Sequence, residues 1–365
     1  MTASRLLSDV AGRITHVLMA LPAHEPRIVP RLLDCMAAVR AALGPGVRCT
    51  MLHHAEHAAL VSERLGTANL DLLPWTKPAT LRFRGGVRLE GKTLKLGSVP
   101  WGDFTLWVQD PFLVAQNDEA VCLLASPIVE RPDGGLDEDI PPLVAAHLGW
   151  GCRPLRQPLD GANVLVDDAH AVVGGDAGAE HDRVAALPSG NECPPLVIPS
   201  RGGQPLSHQD LYLTLAGPHS TSGRPTALVG SQALAARVAG EPFEARERDE
   251  RLDRVATDLA DAGYHVERLP LTRERADPRW KPGWIGYNNV LVETWRDGPT
   301  LRRRVTVPRY GTDGGPHLAA LDAAAADIWT GLGFEVRPVE APFTWLAVFD
   351  GGIRCMTKVL AREPA

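Results

Sequence analysis

Apolar residues along this chain follow a grammar that recurs. A short β-type run leads through a turn into an alanine-rich stretch of helical period, and then into a second short β-type run. RITHVLMALP at 13–22, VPRLLDCMAAVRAAL at 29–43 and VRCTMLHH at 47–54 form one such unit. VTVPRYG at 305–311, LAALDAAAADIWTGL at 318–332 and FEVRPVE at 334–340 form another of the same plan. Between them, LRFRGGVRLEGKTLKL at 81–96 reads as a hairpin. The stretch 141–175 reads as a helix, a strand, and a pair of strands around Asp167 and Asp168. SHQDLYLTLAG at 207–217 and YNNVLVETWR at 287–296 extend the series. The units share little sequence, so the repetition rests on order and spacing.

The run SHQDLYLTL at 207–215 alternates cleanly and predicts a strand. His208, Asp210, Tyr212 and Thr214 share one side, and Gln209, Leu211, Leu213 and Leu215 the other. The leucine face packs inward, and the face with histidine and aspartate turns to water or lines a polar cavity. Two segments rich in proline, glycine and charge, 131–142 and 270–283, interrupt the plan and read as surface loops.

Composition narrows the function classes. The chain has 365 residues, 44% hydrophobic and 22% charged, which suits one globular unit spanning 1–365 with a large core. No apolar run approaches the length of a membrane span, and the charges scattered through the first residues are unlike a signal peptide, so a cytoplasmic protein is expected. A net charge of −6 and no basic run beyond Arg302, Arg303 and Arg304 argue against a nucleic-acid partner. The six cysteines are widely spaced and read as free thiols.

Four places carry candidate chemistry. Asp110, in TLWVQDPFLV at 105–114, is the one carboxylate of a run read as an apolar strand. It either caps the turn beside Pro111 or is held at a cavity wall to meet a cation. In LDGANVLVDD at 159–168, Asp160, Gly161 and Asn163 form a tight turn that feeds a strand. His208 and Asp210 make the third place. The fourth is Cys355, in GGIRCMT at 351–357. A free cysteine is usually a small buried hydrophobe, but here the glycine pair permits close approach of a ligand and frees the thiol from crowding so that it is accessible, and Arg354 offers a charge that favours thiolate.

Taken together, these stretches resemble the guanidino-group modifying superfamily: arginine and agmatine deiminases, dimethylarginine hydrolases, amidinotransferases and the catalytic domain of protein-arginine deiminases. WVQD at 107–110 is similar to a protein-arginine deiminase pattern, LDGANVL at 159–165 to the acidic-Gly-Gly-Asn turn, HQD at 208–210 to H-x-D, and GGIRCMT to the C-terminal cysteine loop. YNNVLVE and PFTWLAVFDGGIRCMT add to the likeness, which spans about 100–360. Three positions depart from the pattern: Ala162 replaces a second glycine, Asp160 a common glutamate, and Arg354 a histidine. Arginine before the cysteine resembles the free-arginine deiminases instead.

The resemblance implies an α/β pentein, a propeller of five ββαβ-like units around a pseudo-fivefold axis. It implies a hydrolase acting on a cationic guanidino substrate, either a small molecule or a peptidyl arginine, with neither cofactor nor metal. Cys355 would be the nucleophile that forms a thiouronium adduct, and His208 the acid and base. Asp110 and Asp210 would bind the guanidinium, Asp160 or Asn163 would orient the histidine or shape the pocket, and Arg354 would join the substrate-binding residues. An amidinotransferase uses the same residues with an amine in place of water, and a third reading is a non-catalytic pentein that binds a partner.

Overall fold

The computed structural model describes residues 4–22, 28–76, 87–89, 92–94, 104–126, 137–174, 187–188, 195–200, 203–274 and 282–363. Among them the strands form five sheets of three or four strands and a separate hairpin, Val87–Leu89 against Lys92–Leu94. That hairpin lies within the one read at 81–96.

The sheets share a plan. Phe112–Gln116 runs antiparallel to Val121–Ala125, which lies parallel to Gly151–Pro154. Val164–Val166 and Ala171–Val173 are antiparallel, with Leu196–Val197 parallel to the second. Leu213–Pro218, Pro225–Ser231 and His265–Glu274 repeat the arrangement, as do Leu291–Asp297, Thr300–Arg309 and Glu335–Glu340. In the remaining sheet Lys358–Arg362 is antiparallel to Ile14–Leu21, which is parallel to Arg48–His54. The first and last of these long strands in the chain therefore zip together.

Helices make parallel crossovers in several of the sheets. Val29–Leu43 joins Ile14–Leu21 to Arg48–His54, starts with Pro30 in its first turn and stops at Gly44, where φ is 95°. Its buried residues, Leu32, Leu33, Met36, Val39 and Leu43, recur at helical spacing. Pro316–Gly331 does the same between Thr300–Arg309 and Glu335–Glu340, burying Leu318, Leu321, Ala325 and Trp329. Strands and helix faces from four of the sheets meet in one apolar core that includes Val17, Met19, Leu228, Leu269, Val292, Val305 and Trp329.

Three expectations change. SHQDLYLTL is not one strand: Gln209–Leu211 is a 3-10 turn, and the strand begins only at Leu213. The alternation breaks there, because Gln209 and Asp210 are both fully buried. The segment 105–111 is likewise a run of turns, with strand only from Phe112. The two supposed loops are partly regular: 137–142 enters a 3-10 turn and the helix Ile140–Leu148, and 270–274 belongs to His265–Glu274, paired with Gly283–Gly286. Residues 131–136 and 275–281 lie outside the described part.

Candidate active site

Each sheet has a first strand of its antiparallel pair, and the loop just before each of these strands carries polar side chains. Gln109 and Asp110 precede Phe112; Asp160 to Asn163 precede Val164; His208 to Asp210 precede Leu213; Asn288 and Asn289 precede Leu291; Arg354 and Cys355 precede Lys358. These loops are bonded one to the next in a closed ring. Gln109 N–H donates to Cys355 O at 3.3 Å, and Gly161 N–H to Asp110 O at 2.8 Å. Gln209 N–H donates to Asn163 Oδ1 at 2.9 Å, Asn289 Nδ2 to Asp210 O at 3.5 Å, and Cys355 N–H to Asn289 Oδ1 at 3.0 Å.

The glycines of the cysteine loop have specific neighbours. A Cβ on Gly351 would sit 2.3 Å from the Trp107 ring, and one on Gly352 would sit 2.9 Å from Asn289 Oδ1. Gly161 is as constrained, since a Cβ there would lie 2.2 Å from Gln109 O. These residues are glycine because flanking loops occupy the space a side chain would need.

Cys355 is buried, 2% exposed, rather than displayed at the surface. Its Sγ lies 3.0 Å from Asn289 Nδ2 and 3.6 and 3.8 Å from the two Asp210 oxygens. Burial and the Asp210 charge push the thiol pKa up to about 12, against the pull of a hydrogen bond to His208. The resting group is a thiol.

His208 Nε2 stands 3.4 Å from Asp160 Oδ2. The other Asp160 oxygen accepts from Ala162 N–H at 3.0 Å, so the turn fixes the carboxylate that fixes the imidazole. Asp110, Asp160 and His208 bring one ligand atom each within 4.8 Å of one another. Burial works to lower the His208 pKa, but the charges of Asp110 and Asp160 and hydrogen bonds to Asp160 and Cys355 outweigh it and raise it well above its usual value. Such a trio has the donor types of a metal site. A metal ion would have to displace the proton that the two carboxylates hold on the imidazole.

Two residues expected at the substrate are committed elsewhere. Arg354 is buried, and NH1 donates to Asp210 Oδ2 at 2.8 Å while NH2 donates to Asp9 Oδ1 and to Val164 O, both at 3.0 Å. It is a cation for Asp210 more than for the thiol. Asn163 braces the histidine loop through Gln209 N–H. Asp110, Asp210, His208, Asp160 and Cys355 do come together. Asn289 and Lys358 were missed. Asn289 lies in YNNVLVETWR, singled out for another reason, and Lys358 directly follows GGIRCMT, and a buried amide or lysine leaves no local signal in sequence.

No family model matches the chain, and no curated protein does. Solved structures match it in shape. An agmatine deiminase from C. jejuni superposes with a TM-score of 0.64 at 10% identity, covering 97% of this chain and 95% of its own. A variant of that enzyme with substrate bound gives a TM-score of 0.66 at 10% identity, with 99% and 97% covered. The agmatine deiminase of Enterococcus faecalis gives 0.61 at 11%, with 98% and 95% covered. The chain thus has the mixed α/β fold of these deiminases over almost its whole length. Among the described residues no helix is long and apolar enough to cross a membrane.

Proposed function

We propose that this chain is a guanidino-group hydrolase, a deiminase built as one domain of five ββαβ-like units about a pseudo-fivefold axis. The shared plan of the five sheets and the closed ring of five loops support that architecture. The observation that carries the function is the meeting, inside the ring, of one thiol, one histidine with raised pKa, and the carboxylates Asp110, Asp160 and Asp210. A planar cation bound through carboxylates and attacked by a soft nucleophile needs this set.

In this reading Asp110 and Asp210 hold the guanidinium, and its charge offsets theirs, so that the thiol loses its proton more readily with substrate bound. The thiol passes its proton to water and Cys355 Sγ attacks the central carbon, opening its C=N bond to a tetrahedral centre. The C–N bond breaks as His208 gives a proton to the departing amine, leaving a thiouronium adduct. His208 then takes a proton from water, the hydroxide adds to the same carbon, and the C–S bond breaks to release the ureido product and the thiol. Asp160 orients His208, while Arg354 and Asn163 are braces. The substrate is a small free guanidino compound or the arginine side chain of a peptide.

The test is a screen of small guanidino compounds and arginine peptides for a ureido product and released ammonia or amine, with and without an added amine acceptor. A ureido product without acceptor supports a hydrolase. Amidino transfer only when acceptor is present would make it an amidinotransferase. No turnover and no labelling of Cys355 by an amidine with a leaving group would favour a binding protein.

A further inference from the structure

Lys358 lies three residues beyond the thiol, at the start of the strand that leaves the cysteine loop. It is 5% exposed, with Nζ 5.1 Å from the centre of the Phe112 ring and donating to Gln109 O at 3.2 Å. That oxygen belongs to the peptide bond whose nitrogen is Asp110. We infer that Lys358 is a positioning residue of the site, its N–H holding the Gln109–Asp110 peptide so that the Asp110 carboxylate faces the substrate cation. The inference rests on the guanidino reading above.

The main chain of Gln109 and Asp110 is bonded at all four of its polar atoms. Gln109 N–H donates to Cys355 O at 3.3 Å, Asp110 N–H to Trp107 O at 3.2 Å, and Asp110 O accepts from Gly161 N–H at 2.8 Å. Lys358 supplies the fourth bond, from a buried amino group. The same strand start therefore carries the nucleophile and, through Lys358, grips the segment with the acid, giving the two a rigid common support.

Burying an ammonium here is costly, and a leucine or methionine would pack the space beside Phe112 without that cost. Burial and the Arg354 charge bring the Lys358 pKa down to about 7, against the opposing pull of Asp9, Asp110 and Asp160. A group kept at such expense, with its donor on the peptide of an active-site acid, is explained by what it holds in place.

The experiment compares Cys355 labelling by an α-chloroamidine, a guanidinium mimic, with labelling by neutral chloroacetamide, in the full chain and its K358M and K358Q variants, with thermal melting followed in parallel. Wild type reacts faster with the amidine. K358M keeps its folding and its chloroacetamide rate but loses about tenfold or more of the amidine preference, while K358Q, which still offers an N–H donor, recovers most of it. With a turned-over substrate, KM rises more than kcat falls. A folded K358M with wild-type amidine preference overturns the inference and leaves the guanidino reading intact, as does a K358Q that behaves like K358M. A wild type that does not prefer the amidine sinks the guanidino reading itself. If K358M does not fold, K358L serves as the variant without a donor.

Discussion

Asn289 holds Cys355 at two points, its Oδ1 accepting from the Cys355 N–H and its Nδ2 standing 3.0 Å from Sγ. The pair lies 66 residues apart in sequence and fixes both the loop and the direction of the sulfur. A donor aimed at sulfur also favours thiolate once it forms. Replacing Asn289 with alanine should therefore slow turnover by about ten- to a hundredfold and leave a buried N–H unpaired, at about 1–3 kcal/mol of stability. N289D should be slower still, because a carboxylate would repel the thiolate. Single-turnover rates and melting curves for the two variants check this.

Alkaline pH should weaken the resting protein through its thiol. The Cys355 pKa stands at about 12 when folded, against 9.0 for an ordinary thiol. Between those values the unfolded chain loses a proton that the folded chain keeps, so stability falls as pH rises above about 9. The loss from this group is about 1.4 kcal/mol per pH unit. C355A should lack that share and fall less steeply in denaturant titrations between pH 9 and 11. It should also be inactive yet folded, and equal steepness in the two proteins would refute the assignment.

The Asp160–His208 contact should set the pH profile. Asp160→Asn removes one of the two charges that raise the His208 pKa, so the imidazole should lose its proton at lower pH. The alkaline limb that reports the acid form of His208 should move down, with kcat falling about tenfold or more as the ring loses its guide. NMR titration of the histidine checks the shift apart from activity.

Asp110 and Asp210 should separate in mutagenesis although both are cast as guanidinium ligands. Asp210 is paired with the buried Arg354 at 2.8 Å, so D210N should cost stability as well as activity, about 3–5 kcal/mol. D110N leaves that pair alone and should act mainly on binding, by about 1.5–3 kcal/mol, or roughly ten- to a hundredfold in KM. Urea unfolding beside steady-state kinetics distinguishes the two.

The unit plan was legible because helix and strand periods are local. The helix read at 29–43 is Val29–Leu43, and the parallel strands around it fall where the apolar runs end. Local reading failed where a polar segment is buried by distant parts of the chain. HQD alternates like a strand, yet the bond from Gln209 N–H to Asn163, 46 residues away, and the burial of Asp210 against Arg354 settle it as a turn. Arg354 looked like a charge for the neighbouring thiol because its partner Asp9 lies 345 positions earlier. Cys355 looked accessible because its glycines leave space, and that space is filled by Trp107 and Asn289.

The pairing of Lys358–Arg362 with Ile14–Leu21 also bears on the order in which the chain is made. During synthesis the loops bearing Asp110, Asp160, His208 and Asn289 emerge in turn, and each can meet only those made before it. Cys355 emerges after all of them, on the strand that returns to one of the first strands made. A chain halted before residue 355 holds every acid and the histidine but not the thiol proposed as nucleophile, so the proposed centre is incomplete until the last link of the ring arrives.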